Sequence, residues 1–395
     1  ASSEHSELVS KWAKVVFSRV YSCCLPALAI LGTCTNAMML PLVTYPDETT
    51  GFEMKHINIF TSSVVCVISL LGTSNLGAAE HGSRVIEKIA FGSCNSQHKP
   101  QPLWTLIKRD TPDLWIWTGD NVYADTESFG EFRQAYDLQL SNQDYRAFVE
   151  EVPFLIGTWD DHDYGVNDGG SEFAAKRIAK QELYRFLGVE ASHPSWDREG
   201  VYQSYEFGPT GQIVKIILLD TRWFRDPILK DASPDAQYLP NDSGTLLGIK
   251  QWEWLTNELK ENAADLTIIV SSIQLLAAEH RFEKWANFPN ERSKLLKLIN
   301  DYASEKTIVI SGDRHAGEIS AVDLPSWEKP LLDITSSGLT NVWSRNFDES
   351  NSLAITEKII KPNYGFIEID WNDASDPDVR ISIKGLHGEF VNVSL

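Results

Sequence analysis

Cysteine nearly disappears from this sequence after its first stretch: Cys23, Cys24, Cys34 and Cys66 fall within the first 66 residues, and Cys94 is the only one that follows. A disulfide framework is thereby excluded for the bulk of the chain, and the solitary thiol needs another reason to be there. Positive charge is scarce as well. The 35 Lys and Arg face 55 Asp and Glu, giving a formal net charge of -20 and a pI near 4.9, which excludes an extended surface tracking nucleic-acid phosphates. An anionic substrate has to be attracted locally, and bound cations are one means. No internal repeat, low-complexity tract or interdomain linker interrupts the chain after residue 85. Apolar residues are not lacking: 43% hydrophobic and 11% aromatic content over 395 residues is ample for one large core.

Long apolar runs are few. Leu25 to Val43 is short for a bilayer span and is broken by Thr33, Thr35, Asn36 and Pro41, so no stable membrane anchor is expected. The other run has a different layout: Met54-Lys55-His56 is a short basic start, Ile57 to Leu71 is mostly apolar, and Gly77-Ala78-Ala79 ends a small-residue tail. That is the layout of a secretory signal peptide cleaved near Ala78 or Ala79. The expected organisation is therefore an upstream or appended segment over 1–53, outside the fold; a signal peptide over 54–79; and a single domain over 80–395, exported to the periplasm or the extracellular space.

From Val85 onward, short β-rich runs alternate with helical patterns, which predicts a layered α/β domain. Six runs end in polar residues: Lys88 to Phe91 before Gly92-Ser93-Cys94, Leu114 to Thr118 before Gly119-Asp120, and Pro153 to Thr158 before Trp159-Asp160-Asp161-His162; then Ile213 to Leu219 before Asp220-Thr221-Arg222, Leu266 to Val270 before Ser271-Ser272, and Thr307 to Ile310 before Ser311-Gly312-Asp313-Arg314-His315. Ligands of open α/β sheets bind outside the carboxyl ends of strands, so this repetition predicts one shared site. Apolar spacing of three and four predicts helices over Leu103 to Arg109, Phe129 to Leu138, Ser171 to Leu187, Gly248 to Asn262 and Glu291 to Tyr302. Further strands are expected over Phe366 to Trp371, Val379 to Ile383 and Phe390 to Val393.

Four of these blocks are similar, in order, to those of the alkaline phosphatase D (PhoD-like) family: Phe91-Gly92-Ser93-Cys94, Gly119-Asp120-Asn121-Val122-Tyr123-Ala124-Asp125, Trp159-Asp160-Asp161-His162-Asp163-Tyr164-Gly165 and Gly312-Asp313-Arg314-His315. Leu219-Asp220-Thr221-Arg222 and the segment Phe282 to Pro289 also resemble family segments, so the likeness runs over roughly residues 85 to 345. The resemblance implies a metallophosphoesterase-like layered sandwich of mixed β-sheets flanked by helices. It implies hydrolysis of small phosphate monoesters or diesters by attack of a metal-bound hydroxide, with Fe3+ held through a thiolate and a phenolate beside Ca2+. It places His315 on the iron side and assigns His162 to contact phosphate and protonate the leaving oxygen.

The residues themselves point the same way. Asp120 follows a strand in Gly-Asp, where a carboxylate can bridge two cations above a tight glycine turn. Tyr123 and Cys94 would offer two anionic donors that suit a ferric ion far better than magnesium or calcium. Asp161 and Asp313 offer hard oxygens for a calcium-like neighbour. Ordinary readings compete at each position. A lone cysteine after a strand is often an apolar filler, Tyr123 alone reads as a packing aromatic, and Asp160 reads as a brace for its loop. Three carboxylates around His162 would repel one another without a cation. Asp163 is expected to orient the His162 ring, and Asn121 to contact substrate or brace a ligand. Arg222 reads equally as a phosphate contact or a partner of Asp220. Asn167 and Asp168 reach a further calcium or form a plain turn. His280 and the Trp285 segment read as rim or core. Outside hydrolysis of small esters, the rival readings are a phosphodiesterase or phospholipase of the same architecture and a metal-binding surface protein without turnover.

Two departures from the family stand out. No arginine pair precedes the apolar run, which points to general secretion rather than twin-arginine export, and Asn341 stands where family members often carry histidine. The signal-like segment generates a direct test: N-terminal sequencing of exported protein should find a start near Ala79 or Glu80, whereas a mature product beginning at Ala1 overturns the processing scheme.

Overall fold

The run Leu114-Trp115-Ile116-Trp117-Thr118 is apolar on both faces, as expected of a strand covered on both sides. In a computed structural model, which describes residues 83–231, 238–344, 349–372 and 376–395, this run lies inside a sheet with two buried faces. The upstream segment, the signal-like segment and residues 80–82 lie outside the described residues, as do the four N-terminal cysteines.

In chain order the strands are β1 (Lys88–Gly92), β2 (Leu114–Thr118), β3 (Phe154–Thr158), β4 (Gln203–Phe207), β5 (Val214–Leu218), the short ribbon β6 (Leu229–Lys230) and β7 (Tyr238–Leu239), then β8 (Leu266–Val270), β9 (Thr307–Ser311), β10 (Gly317–Val322), β11 (Leu331–Ser336), β12 (Asn363–Asp370), β13 (Asp378–Gly385) and β14 (Gly388–Ser394). The helices are α1 (Leu103–Arg109), α2 (Phe129–Ser141), α3 (Gln143–Val149), the single turn α4 (Asp161–Tyr164), α5 (Lys176–Leu187), α6 (Gly248–Lys260) and α7 (Pro289–Tyr302). Two six-stranded mixed sheets result, ordered β14-β13-β12-β1-β2-β3 and β10-β11-β9-β8-β5-β4. In the first, β1, β2 and β3 run parallel; in the second, β11, β9, β8 and β5 do.

The period-two alternation of each strand sorts its side chains into layers. Leu114 and Ile116 of β2 meet Ile268 and Val270 of β8 and Ile308 and Ile310 of β9 in a core between the sheets. The other face of β2 sends Trp115 and Trp117 against Trp104 of α1 and Tyr145 and Phe148 of α3, with Trp104 and Trp115 edge to face at 5.0 Å. On the far side, Ile217, Ile269 and Val309 pack under Trp252 and Leu255 of α6 and Leu295 and Ile299 of α7. The product is the layered sandwich of mixed sheets flanked by helices that the strand pattern and the resemblance imply.

Local ties explain where the sequence pattern and the structure part. The helix expected from Ser171 begins at Lys176, because the Ser171 N–H donates to the Arg225 carbonyl at 2.8 Å and the Ser171 carbonyl accepts from Lys176 Nζ at 2.9 Å. Helix α3 has little periodicity but is opened by Asn142, whose side chain accepts the Tyr145 N–H at 3.0 Å. Among the described residues no helix is long and apolar enough to cross a membrane.

Candidate metal centre and active site

Because β1, β2 and β3 are parallel in one sheet and β9 and β11 are parallel in the other, their carboxyl ends open on related edges of the sandwich. Each end carries a polar loop: Cys94 after β1, Asp120 and Tyr123 after β2, Asp160 to Asp163 after β3, Asp313 and His315 after β9, and Ser337 after β11. These loops hold an unusual backbone. Cys94, Asp120, Asp125, Asp168, Asp313 and His315 all have positive φ, between 45° and 66°, and Thr111 is the one other non-glycine residue with this feature among the described residues. Such conformations cost on the order of 1–3 kcal/mol each and persist where the surroundings over-determine them. Close backbone approach is part of that enforcement. A Cβ at Gly119, whose φ is 98°, would stand 2.5 Å from the Asp160 Cβ, and one at Gly312 would stand 2.6 Å from Ser93 Oγ.

The loops converge on Asp120. Three groups of potential ligand atoms lie within 4.8 Å of one another: Cys94, Asp120 and His315; Asp120, Asp161 and His162; and Asp120, Asp160, Asp161 and Asp313. Cys94 Sγ is 3.3 Å from Asp120 Oδ2, and the Tyr123 hydroxyl is 3.0 Å from His315 Nε2. The His315 N–H donates to Ser337 Oγ at 2.9 Å, while the Ser337 hydroxyl stands 3.0 Å from Cys94 Sγ, so one side chain spans both ligand loops. His162 sits at the margin. Its N–H donates to Asp120 Oδ1 at 3.3 Å, its Nδ1 is 2.7 Å from Asp125 Oδ1, and its ring stacks on Tyr123 with centroids 4.0 Å apart.

The protonation equilibria record how crowded this anionic cluster is. Burial pushes the Cys94 thiol up to about 12, with the Asp313 charge adding to it. Burial also raises Asp120 and then Tyr123, each further raised by Cys94, and it raises Asp313, where Asp160 and Asp161 add repulsion. Asp161 departs in the other direction: burial would raise it, but Arg222 and His162 together hold it below the usual carboxylate range. For His162, burial opposes the charged form, yet the hydrogen bond to Asp125 and the charges of Asp120 and Asp161 lift it to about 10. His315 is lowered to about 4 by burial and then by the His162 charge. Oδ1 of Asp161 and Oδ2 of Asp160 are buried without any hydrogen-bond partner. A set of buried anionic donors with unpartnered oxygens is unfavourable alone and fits bound cations well. Thiol, phenol and imidazole groups lie to one side of Asp120 and carboxylates to the other, donors of unlike softness that could hold metal ions.

Thus Cys94, Asp120, Tyr123, Asp161, His162, Asp313 and His315 come together in space. The supporting roles expected for other residues change. Asp163 does not orient the His162 ring: its oxygens accept the N–H groups of Asp160 at 2.7 Å and Asn121 at 3.1 Å, tying the β3 loop to the β2 loop. The ring is held instead by Asp125, which adjacency in sequence did not suggest. Arg222 is fully buried, and its guanidinium is engaged by Asp160, at 2.6 Å through Nε, and by Glu283 rather than by Asp220. Asp220 accepts backbone N–H groups from Arg222 and Trp223, each at 2.9 Å. Asn121 is buried and donates to the Thr158 carbonyl at 3.0 Å. Asn167 is exposed and donates to Asp168 Oδ2 at 2.7 Å, while the Asp168 N–H reaches Asp161 Oδ2 at 2.7 Å. His280 and Trp285 are buried. Asp160 enters the carboxylate group although it reads as a brace; it is both, with one oxygen on Arg222 and the other unpartnered. Replacing Arg222 with Ala leaves Asp160 and Glu283 buried without their common counter-charge, and should destabilise the protein by roughly 3–5 kcal/mol, read as a lowered denaturant midpoint. A fully stable variant with weakened phosphate binding would return Arg222 to the substrate.

Likenesses to known proteins place the chain in a family. A family model described as PhoD-like phosphatase matches residues 89–363. Alkaline phosphatase D of Bacillus subtilis (strain 168) is 23% identical over 322 residues, covering 69% of this chain and 53% of that protein. The chain therefore spans about half the length of that curated relative. A solved structure of PhoD superposes with a TM-score of 0.64 at 18% identity, covering 80% of this chain and 69% of that one, which establishes a shared fold. With the family model spanning most of the chain, including every ligand loop described above, this protein belongs to the PhoD-like phosphatase family.

Proposed function

We propose that this protein is an exported metal-dependent phosphoesterase that hydrolyses small phosphate monoesters, diesters or both. The observation that carries the reading is His162: an imidazole fixed by Asp125 at 2.7 Å stands at the margin of the ligand cluster, where a metal store would have no use for it. In this reading Cys94, Tyr123 and His315 would hold Fe3+, Asp161 and Asp313 would hold Ca2+, and Asp120 would serve both. Bound cations would supply Lewis acidity, activating water and offsetting charge on the phosphoryl oxygens. Water oxygen forms the new bond to phosphorus as the bond to the leaving oxygen breaks; the water gives a proton to solvent and His162 gives one to the departing oxygen. Asp125 keeps the ring's Nδ1 engaged, so that Nε2 is the nitrogen left to donate. Asp163 and Asn121 join the β2 and β3 loops and thereby set the distance from His162 to Asp120. Export rests on the signal-like segment at residues 54–79.

Metal identity has a spectroscopic test. A ferric ion bound by Tyr123 and Cys94 should absorb in the visible through ligand-to-metal charge transfer, and Tyr123→Phe should shift or bleach the band without unfolding the protein. A colourless, iron-free and fully active enzyme removes iron from the proposal.

Catalysis and metal binding are separable at one loop. Asp161→Asn keeps size but loses a ligand charge, so metal content and hydrolysis should fall together. His162→Asn should keep its metals and lose about 10²- to 10⁴-fold in turnover of an alkyl phosphate, whose leaving oxygen needs a proton. An aryl phosphate should suffer much less. Loss of metal from His162→Asn as complete as from Asp161→Asn makes His162 a ligand instead, and no effect of either change places the chemistry elsewhere.

A further inference from the structure

The cations near the cluster are of two kinds. Arg222 is buried against Asp160 and Glu283, and Arg314 is buried against Glu349 at 2.7 Å, so both are neutralised where they stand. Lys99 differs. It is exposed, and among the described residues its ammonium engages no carboxylate; it donates instead to the neutral Oδ1 of Asn341. Asn341 is itself beside the site, since its N–H donates to the Cys94 carbonyl at 3.1 Å.

The loop that carries Lys99 is fastened to the ligand loops at several points. The Asn95 N–H donates to the Asp120 carbonyl at 2.9 Å, and the Ser96 N–H to Thr340 Oγ1 at 2.6 Å. Gln97 clamps Tyr123 in both directions, accepting its N–H at 2.9 Å and donating to its carbonyl at 2.8 Å. The Lys99 N–H then closes a turn on the Ser96 carbonyl at 3.1 Å. An ordinary surface lysine is mobile and solvated. This one is held on Asn341, and its loop is clamped to Tyr123, whose hydroxyl lies 3.0 Å from His315, so it is presented at that side of the cluster. On a chain of net charge -20, an unneutralised cation at that place is the local attraction an anionic substrate needs.

We propose that Lys99, poised on Asn341, is a specificity-determining residue that takes up the third unesterified oxygen of a phosphomonoester, so that the site favours dianionic monoesters over monoanionic diesters. The inference rests on the phosphoesterase reading above. Both ester types carry at least two non-bridging oxygens, which cations in the cluster would engage. Only the monoester has a further anionic oxygen, whereas a diester places an uncharged ester oxygen and its substituent there. An ammonium forms a charge-assisted hydrogen bond with the first and none of comparable strength with the second. Leaving a neutral amide for that oxygen gives up little, which a lysine already paired with a carboxylate would not match.

The test uses the full chain with its metals, an aryl phosphate monoester and the bis-aryl diester with the same leaving group. In Lys99→Met the monoester-to-diester ratio of kcat/KM should fall by roughly ten- to a hundredfold, mainly through the monoester KM. Lys99→Arg should retain most of the ratio, and competitive inhibition by inorganic phosphate should weaken in Lys99→Met alone. Added salt should raise the wild-type monoester KM more than that of Lys99→Met. Equal losses on both esters, no loss on either, or failure of Lys99→Arg to restore selectivity overturns the proposal. If the wild type cleaves neither ester, the phosphoesterase reading fails by itself, and calorimetric binding of inorganic phosphate still judges Lys99: equal affinity in wild type and Lys99→Met overturns its role.

Discussion

Everything about this site depends on how a crowd of buried anionic groups is kept folded. Asp120, Asp160, Asp161 and Asp313 present oxygens within 4.8 Å of one another, and Cys94 adjoins them. Two like charges at about 4 Å repel by about 4 kcal/mol at an effective dielectric constant of 20. The fold answers first with Arg222, buried against Asp160 and Glu283, with Arg225 completing the group at 3.0 Å from Glu283. Such a buried network is weak evidence for stability, because desolvation offsets much of the attraction. Its effect is to decide which carboxylates are committed and which remain available. Asp160 gives one oxygen to Arg222 and Ser272, while Asp161 keeps Oδ1 without a partner.

The same constraint accounts for the backbone. Side chains that repel one another converge only if their main chain has nowhere else to go, and left-handed conformations at Cys94, Asp120, Asp313 and His315 put that constraint in the loops themselves. Glycine at 119 and 312 lets those loops touch, and Asp163 joins two of them through backbone N–H groups. Burying strands on both faces supplies the rigidity behind the loops, since the β2 and β9 side chains are locked alternately into separate cores.

Much of this was legible in sequence because the strands repeat one pattern, an apolar run followed by an acid, and because parallel strands bring such endings to a common edge. What was not legible depends on neighbours in space. Asp125 and His162 are 37 residues apart and pair because β2 and β3 are adjacent. Ser337 reaches Cys94 across 243 residues because the chain leaving β11 bridges Gly338 to Asn363 at the start of β12, the neighbour of β1, and the Leu339 N–H donates to the Ser93 carbonyl at 3.1 Å. Asp163 had a role assigned by adjacency to His162, and adjacency misled: on a single helical turn, successive side chains point in different directions. Strand β4 escaped because Gln203, Ser204 and Glu206 dilute its apolar pattern, as edge strands often do.

The two histidines show how one cluster supports two kinds of chemistry. His162 and His315 border the same carboxylates, yet one is lifted to about 10 and the other lowered to about 4. Burial works against the charged form in both. The difference lies in their partners: His162 has Asp125 on its ring and Asp120 and Asp161 beyond, whereas His315 faces the positive charges of His162, Arg314 and Lys99. These directions favour a proton on the first and a free lone pair on the second. Environments that drive paired titratable groups apart mark separate acid and donor roles. Bound cations would lower both histidines, and Asp125, lying outside the shared cluster, is the partner that would still favour the proton on His162. The two histidines are thus driven apart mainly by partner geometry: Asp125, which stands outside the cluster, favours the proton on His162, while burial and the neighbouring His162 charge disfavour it on His315.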